Sequence, residues 1–340
     1  MRAVVNDTLD PSGVAVPSGE ASAFHRSLSG YRPTPVHRLD GIADELGLAA
    51  VRVKDESDRL GLPAFKILGA SWAVERALHD QPGTHTLVAA SAGNHGRAVA
   101  RAAALRGLAC RIFLPERSLP VRRAAIAAEA AEVVIVDGAY EQTVEAAARA
   151  GGAEGVALIA DVGDGGPAEW VIDGYATLFA ETAAQANYTL ILVPVGVGSL
   201  AAAAARHGAQ VGAAVVGVEP ATAACLSASL RAGAPTAVPT PGTTMAGLDC
   251  AEVSPAAWPT LQRGIAGTVT VTDSEAAAAV QELAAEGLTI GEAGAAPLAG
   301  LRNLKTDPRC ADLCQRLGVG RHTGALLIAT EGATGAVRPT

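Results

Sequence analysis

From about residue 50 onward, short runs of β-branched and aliphatic residues alternate with Ala-rich segments whose apolar positions recur at helical spacing. The runs predict strands over residues 51–54, 86–90, 109–114, 133–136, 156–159, 190–195, 214–219, 268–271 and 325–329. Between them the pattern predicts helices over 67–79, 94–106, 119–130, 140–150, 171–185 and 199–207, and another from Ser274. The first 30 residues show neither period and read as a loosely structured lead-in. Residues 234–242, rich in Pro, Thr and Ala, read as a surface loop. Strands alternating with helices of this length predict an α/β chain with parallel sheets covered by helices on both faces. Ligands in such folds sit beyond the C-terminal ends of strands, on helix N-termini. Here those places are the loops after Ala90, Ile159, Val195 and Ala329. No sharp linker divides the chain, which suggests one domain inserted within another.

At 340 residues, 49% hydrophobic and 18% charged, the chain can bury a large core and fits two domains better than one. The formal net charge of −8 and the lack of any Lys/Arg run argue against nucleic acid or an acidic membrane as a partner. No apolar run reaches the length of a membrane span, and the N-terminus has no apolar signal core, so a cytoplasmic location is expected. The five cysteines are odd in number and scattered, which does not read as a disulfide framework. Cys310 and Cys314 have helical spacing but lack companion ligands, so buried thiols are expected and no metal site. Only three residues are lysine: Lys54, Lys66 and Lys305.

Three segments carry candidate chemistry. Gly196-Val197-Gly198-Ser199 follows an apolar strand and opens a helix, where glycines and the helix dipole suit a phosphate. With Ala201, and Glu219 ending the next strand, the same loop also fits a dinucleotide fingerprint. Ser91-Ala92-Gly93-Asn94-His95 follows a strand too and can turn backbone N–H groups toward a carboxylate. Asn94 stands where it can cap the helix or donate to a cofactor, and His95 reads as a satisfied helix-start histidine. Lys66 opens a helix beside Phe65, Ile67 and Leu68. Burial and the helix dipole there should disfavour its charged form, giving the neutral amine that Schiff-base chemistry needs. Lys54, beside Asp55 and Glu56, reads as a salt-bridged surface lysine, and Lys305 as structural.

Taken together in this order, these segments resemble the fold-type II pyridoxal 5'-phosphate (PLP) enzymes (tryptophan synthase β-like), and most of all the diaminopropionate ammonia-lyases. Further matching segments are Tyr31-Arg32-Pro33-Thr34-Pro35, Lys54-Asp55-Glu56-Ser57, Gly61-Leu62-Pro63-Ala64-Phe65-Lys66, Thr244-Met245-Ala246-Gly247-Leu248, Gly291-Glu292-Ala293-Gly294-Ala295 and Thr330-Glu331-Gly332-Ala333-Thr334. The resemblance implies a large PLP-binding domain, residues 1–80 plus 165–340, and a smaller inserted α/β domain, 81–164. Lys66 would hold PLP as a Schiff base and move protons, and Asn94 would bond the ring hydroxyl. Gly196, Val197, Gly198 and Ser199 would cradle the phosphate, with Thr330 or Thr334 near the ring nitrogen. Ser91, Ala92 and Gly93 would face the substrate carboxylate, and Asp161 would lie near the leaving group.

The implied reaction is α,β-elimination on 2,3-diaminopropionate or a serine- or threonine-like relative, giving a 2-keto acid and ammonia in a homodimeric enzyme. Where these ammonia-lyases carry Asp before Gly-Asn, this chain has Ala92; where they carry Asp in the T-E-G-D-T segment, it has Ala333. The Asp is thought to accept a proton from the D-isomer, so the L-isomer is expected as substrate. The alternatives are β-replacement on the same cofactor, a PLP- or nucleotide-binding module without turnover, and a NAD-dependent oxidoreductase built on Gly196–Ala201 and Glu219.

Overall fold

The computed structural model describes residues 2–138 and 140–333. Its strands are β1 (Ala3–Val5), β2 (Val36–Arg38), β3 (Ala50–Asp55), β4 (Thr86–Ala90), β5 (Ala109–Pro115), β6 (Glu132–Val136), β7 (Val156–Leu158), β8 (Leu190–Pro194), β9 (Ala214–Pro220), β10 (Gly267–Val271) and β11 (Gly324–Ala329). The helices are α1 (Glu20–Ser27), α2 (Asp40–Leu46), α3 (Lys66–Asp80), α4 (Asn94–Leu105), α5 (Pro120–Ala127), α6 (Tyr140–Gly151), α7 (Pro167–Gln185), α8 (Ser199–Val211), α9 (Cys225–Ala232), α10 (Trp258–Gly264), α11 (Asp273–Ala285), α12 (Glu292–Thr306) and α13 (Ala311–Arg316).

The strands form two sheets, a seven-stranded one in the order β1-β10-β9-β8-β11-β3-β2 and a four-stranded one in the order β6-β5-β4-β7. The smaller sheet is parallel throughout, and its strands are consecutive in the chain. In the larger sheet the five inner strands are parallel, but both edges run against their neighbours: Ala3 pairs with Val269 and Val36 with Lys54, each antiparallel. The expectation of parallel sheets holds for the smaller sheet and for the inner strands of the larger one, to which two antiparallel edge strands are added. Each edge strand has a single partner, so no strand on its outer side constrains its direction.

Strand β8 shows why the sequence reads as continuous apolar runs. Ile191 and Val193 face a core shared with Leu68 of α3, Phe179 of α7 and Ala203 of α8. Leu190 and Leu192 face the opposite core, with Leu298 and Leu301 of α12. Both faces are buried, and each such side chain contributes about 1.5–3 kcal/mol. Where α3 and α7 cross, Gly69 and Gly174 let the backbones touch. A Cβ on Gly174 would lie 2.6 Å from the carbonyl oxygen of Leu68.

The lead-in is more ordered than its pattern predicts, since it contains β1 and α1. His25 of α1 is buried and spans two helices, with Nδ1 2.7 Å from Thr177 Oγ1 and Nε2 3.0 Å from the carbonyl oxygen of Leu68. No helix among the described residues is long and apolar enough to cross a membrane.

Candidate active site

The chain reaches Lys66 through a tight turn. Leu60 (φ 52°) and Gly61 (φ 76°) adopt left-handed backbone, and Arg59 and Leu62 exchange backbone hydrogen bonds of 2.8 and 3.0 Å. Arg59 is fixed in turn by buried carboxylates, donating to Glu56 and to Glu181 of α7. Lys54 completes this cluster. It is fully buried, not at the surface as expected, and its Nζ donates to Glu181 Oε2 at 2.6 Å, the Thr34 carbonyl at 2.8 Å and Gln185 Oε1 at 2.9 Å. A buried ammonium needs such a full set of acceptors. Beyond the turn, the Phe65 amide donates to the carbonyl of Thr330 and the Gly332 amide to that of Pro63. The segment after β11 therefore braces the approach to Lys66.

Lys66 Nζ donates to Asp161 Oδ2 at 3.1 Å and lies 5.5 and 5.8 Å from the ring centres of Phe65 and Tyr175. Here the electrostatic expectation is reversed. Burial pushes the amine down, but Tyr175 and Asp161 outweigh it and hold Lys66 above the ordinary lysine range. Burial likewise pushes Asp161 up, yet His95 and Lys66 bring its carboxyl down to about 2. In the chain alone the two form a charged pair. His95 is only half satisfied: Nε2 is 2.9 Å from the Ile159 carbonyl, while Nδ1 is buried, 3.8 Å from Asp161 Oδ2, and has no hydrogen-bond partner among the described residues.

Asn94 is the first residue of α4, but its side chain does not cap the helix; Nδ2 donates to Glu331 Oε2 at 2.6 Å. Burial pushes the Glu331 carboxyl up. The turn Ser91–Ala92–Gly93 is held by Gly93 N–H donating to Ser91 Oγ at 3.3 Å. Its carbonyl side rests on α4 so closely that a Cβ on Gly96 would lie 2.2 Å from the Ser91 oxygen.

On the facing side, Gly196, Val197, Gly198 and Ser199 lead from β8 into α8. Gly198 has φ 93°, and a Cβ there would lie 2.6 Å from Leu261. Among the described residues the N–H groups of Gly196, Gly198 and Ser199 find no acceptor in the chain, as a helix N-terminus dictates. Ser199 Oγ donates to the Asp161 carbonyl at 3.2 Å, which joins this loop to the Lys66–Asp161 pair. Thr330 is buried at the end of β11. Thr334 lies outside the described residues.

These residues fit PLP. The loop at the start of α8 offers unused N–H groups for a phosphate, and Lys66 offers a primary amine. Two buried polar atoms near that amine, Tyr175 Oη and His95 Nδ1, have no hydrogen-bond partner of good geometry among the described residues. The dinucleotide reading fails at Glu219. Its buried carboxylate accepts from the amides of Leu226 and Ser227 at 2.6 and 2.9 Å and from Ser227 Oγ, so it caps α9 and is not offered to a ribose.

Two tyrosines went unmarked in the sequence. Tyr140 Oη donates to the Ala90 carbonyl at 3.2 Å, from a ring that remains exposed. Tyr175 is fully buried under Gly69, and burial pushes its phenol up to about 12. Both occupy ordinary helical positions, so nothing in the pattern points to them. Cys310 is buried and Cys314 half-buried, both as free thiols, and Lys305 Nζ donates to the Val319 carbonyl. No group of three or more metal-ligating side chains occurs among the described residues.

The model of the family described as Pyridoxal-phosphate dependent enzyme matches residues 28–313. The chain is 33% identical to the diaminopropionate ammonia-lyase of Salmonella typhimurium, over 93% of this chain and 89% of that one. It superposes on the Escherichia coli diaminopropionate ammonia lyase in complex with an aminoacrylate-PLP azomethine reaction intermediate with a TM-score of 0.88, at 30% identity, covering 97% of this chain and 93% of that one. A T.th. threonine deaminase superposes with a TM-score of 0.80 at 27% identity, covering 95% and 100% of the two chains.

Proposed function

The chain belongs to the pyridoxal-phosphate-dependent enzyme family, and from that premise we propose that it is an ammonia-lyase acting on 2,3-diaminopropionate or a serine- or threonine-like relative. The products are a 2-keto acid and ammonia. The observation that carries this reading is the Lys66–Asp161 contact of 3.1 Å beside a helix N-terminus with free amides: a base, an acid and a phosphate site in one place.

When bound, PLP supplies an aldehyde that condenses with amines and a ring that delocalises the electrons left at Cα. Lys66 would hold it, Gly196, Val197, Gly198 and Ser199 would take its phosphate, and Asn94 its ring hydroxyl. Thr330 would lie by the ring nitrogen. Ser91, Ala92 and Gly93 would receive the substrate carboxylate. Lys66 becomes a base for the Cα proton only once its ammonium proton is gone. Its partner Asp161 is the nearest acceptor, so one transfer primes both groups, with Lys66 as base and Asp161 as acid for the departing β-group. Asn94 and Asp161 come from residues 81–164, while Lys66, the 196–199 loop and Thr330 come from 1–80 and 165–340. On this reading the site lies between the two domains of that division. A homodimer in the cytoplasm completes it; the free cysteines suit a reducing compartment, and light scattering on the purified protein tests the dimer.

The test is the near-ultraviolet and visible spectrum of the purified protein beside Lys66→Ala, followed by keto-acid release from the candidate amino acids. The wild type should show a PLP absorption band that borohydride removes and that Lys66→Ala lacks. A wild type that gains no band on addition of PLP would falsify the reading.

A further inference from the structure

His95 follows Asn94 on the first turn of α4 and is buried. The Ile159 carbonyl 2.9 Å from Nε2 can only accept, so Nε2 carries the ring hydrogen. In the neutral ring Nδ1 is then a bare lone pair. It faces Asp161 Oδ2 at 3.8 Å and has no partner among the described residues. A lone pair set against a carboxylate in a buried site is a place for one more proton, and leaving it empty is costly. In the chain as it stands, the Lys66 ammonium satisfies Asp161 at 3.1 Å.

We propose that His95 is a positioning residue for Asp161: once Lys66 gives up its ammonium proton, His95 Nδ1 and Asp161 hold that proton between them until Asp161 delivers it to the leaving group. This rests on the elimination reading above. The balance closes within the site. Lys66 goes from ammonium to amine as the proton enters the pair. When the Cβ–N bond breaks, its electrons stay on the departing nitrogen, which takes the proton from Asp161. Asp161 is again a carboxylate and His95 a neutral ring. Lys66, having accepted the Cα proton, is again an ammonium.

The groups electrostatically coupled to this pair are Lys66 of α3, Tyr140 of α6, Tyr175 of α7 and Cys250 of the loop before α10. Burial holds His95 below its ordinary value; Asp161 raises it, and the Lys66 cation pulls it down again. Neutralising Lys66 removes that last effect, so His95 becomes a better proton holder when Lys66 is engaged elsewhere. The pair titrates as a unit.

Imidazole nitrogen NMR of the full chain, with and without PLP, reads this directly, and the pH dependence of keto-acid release reads its consequence. Without PLP, His95 should be the neutral Nε2–H tautomer. Loading PLP onto Lys66 should move its titration midpoint upward. His95→Gln, whose amide can still donate to the Ile159 carbonyl, should lose about 100-fold in kcat with little change in KM. Its alkaline limb, where the general acid is lost, should lie at lower pH than in the wild type. An Nδ1–H tautomer, a midpoint indifferent to PLP, or a His95→Gln profile with the wild-type limb would each overturn the proposal. Should His95→Gln not fold, Asp161→Asn identifies the same resonance by its shift, and the midpoint in the wild type still decides. A wild type that releases no keto acid from any of these amino acids sinks the elimination reading instead, while the tautomer and midpoint of His95 still test the shared proton.

Discussion

At the scale of single residues, Lys66 and Asp161 face each other as an ammonium and a carboxylate 3.1 Å apart. Tyr175 and Asp161 together hold Lys66 above the ordinary lysine range, and a charged amine is no base. Ala92 is half-buried and carries only a methyl group, in the turn to which the proposed function assigns the substrate carboxylate. On the proposed reading the Ala92 methyl offers no acceptor, and the Cα proton is taken from the Lys66 side. Substrates of L configuration are therefore expected to have kcat/KM about 100-fold above their D counterparts, the scale of a lost general base. A chiral assay giving the D-isomer an equal rate would show that some other group serves that face.

At the scale of elements, the alternation of runs and amphipathic segments is enough to locate most strands and helices of the two sheets, because both faces of the inner strands are buried and leave continuous apolar stretches. What it hides is equally physical. Helix α12 contains Gly294, Pro297 and Gly300, residues that argue against a helix. Two of them are there because the helix lies on its neighbours: a Cβ on Gly300 would sit 2.6 Å from Val218, and one on Gly294 2.7 Å from Ile290. The 196–199 loop and Lys66 stand out in the sequence itself, as paired glycines after an apolar strand and as one of only three lysines, set among apolar residues. Tyr175 and the half-satisfied His95 do not, since an orphaned atom exists only once the fold has excluded its partners. The α3–α7 crossing that buries Tyr175 gives a test. Gly174→Ala puts a methyl group against backbone atoms of Leu68 and Gly69 and should cost about 1–3 kcal/mol, with weaker PLP loading as α3 shifts Lys66. Gly41→Ala in α2, where an added methyl meets nothing, should be neutral or slightly stabilising. Equal denaturation midpoints for the two variants would mean that the crossing tolerates the extra atom.

At the scale of the whole molecule, the segments before β2 and the helices around the larger sheet are tied by histidines that must stay neutral. His25 joins α1 to α3 and α7, and burial brings its ring down to about 3. His207 of α8 stacks on Phe179 of α7, with Nε2 2.6 Å from Tyr188 Oη, and burial brings it down to about 4. Unfolded, each would titrate near 6.5. Because the folded values are depressed, the unfolded chain binds protons first as the pH falls. The stability these groups contribute is complete above about 6.5 and is lost on the way down toward 4 and 3. For His207 the loss amounts to about 3 kcal/mol. The melting temperature of the wild type should therefore fall between pH 6.5 and 4, and His207→Gln, which cannot take up the proton, should show a flatter curve that approaches the wild type at low pH. Parallel curves would mean that His207 is protonated in the folded chain, and that the packing of α8 on α7 does not depend on a neutral ring.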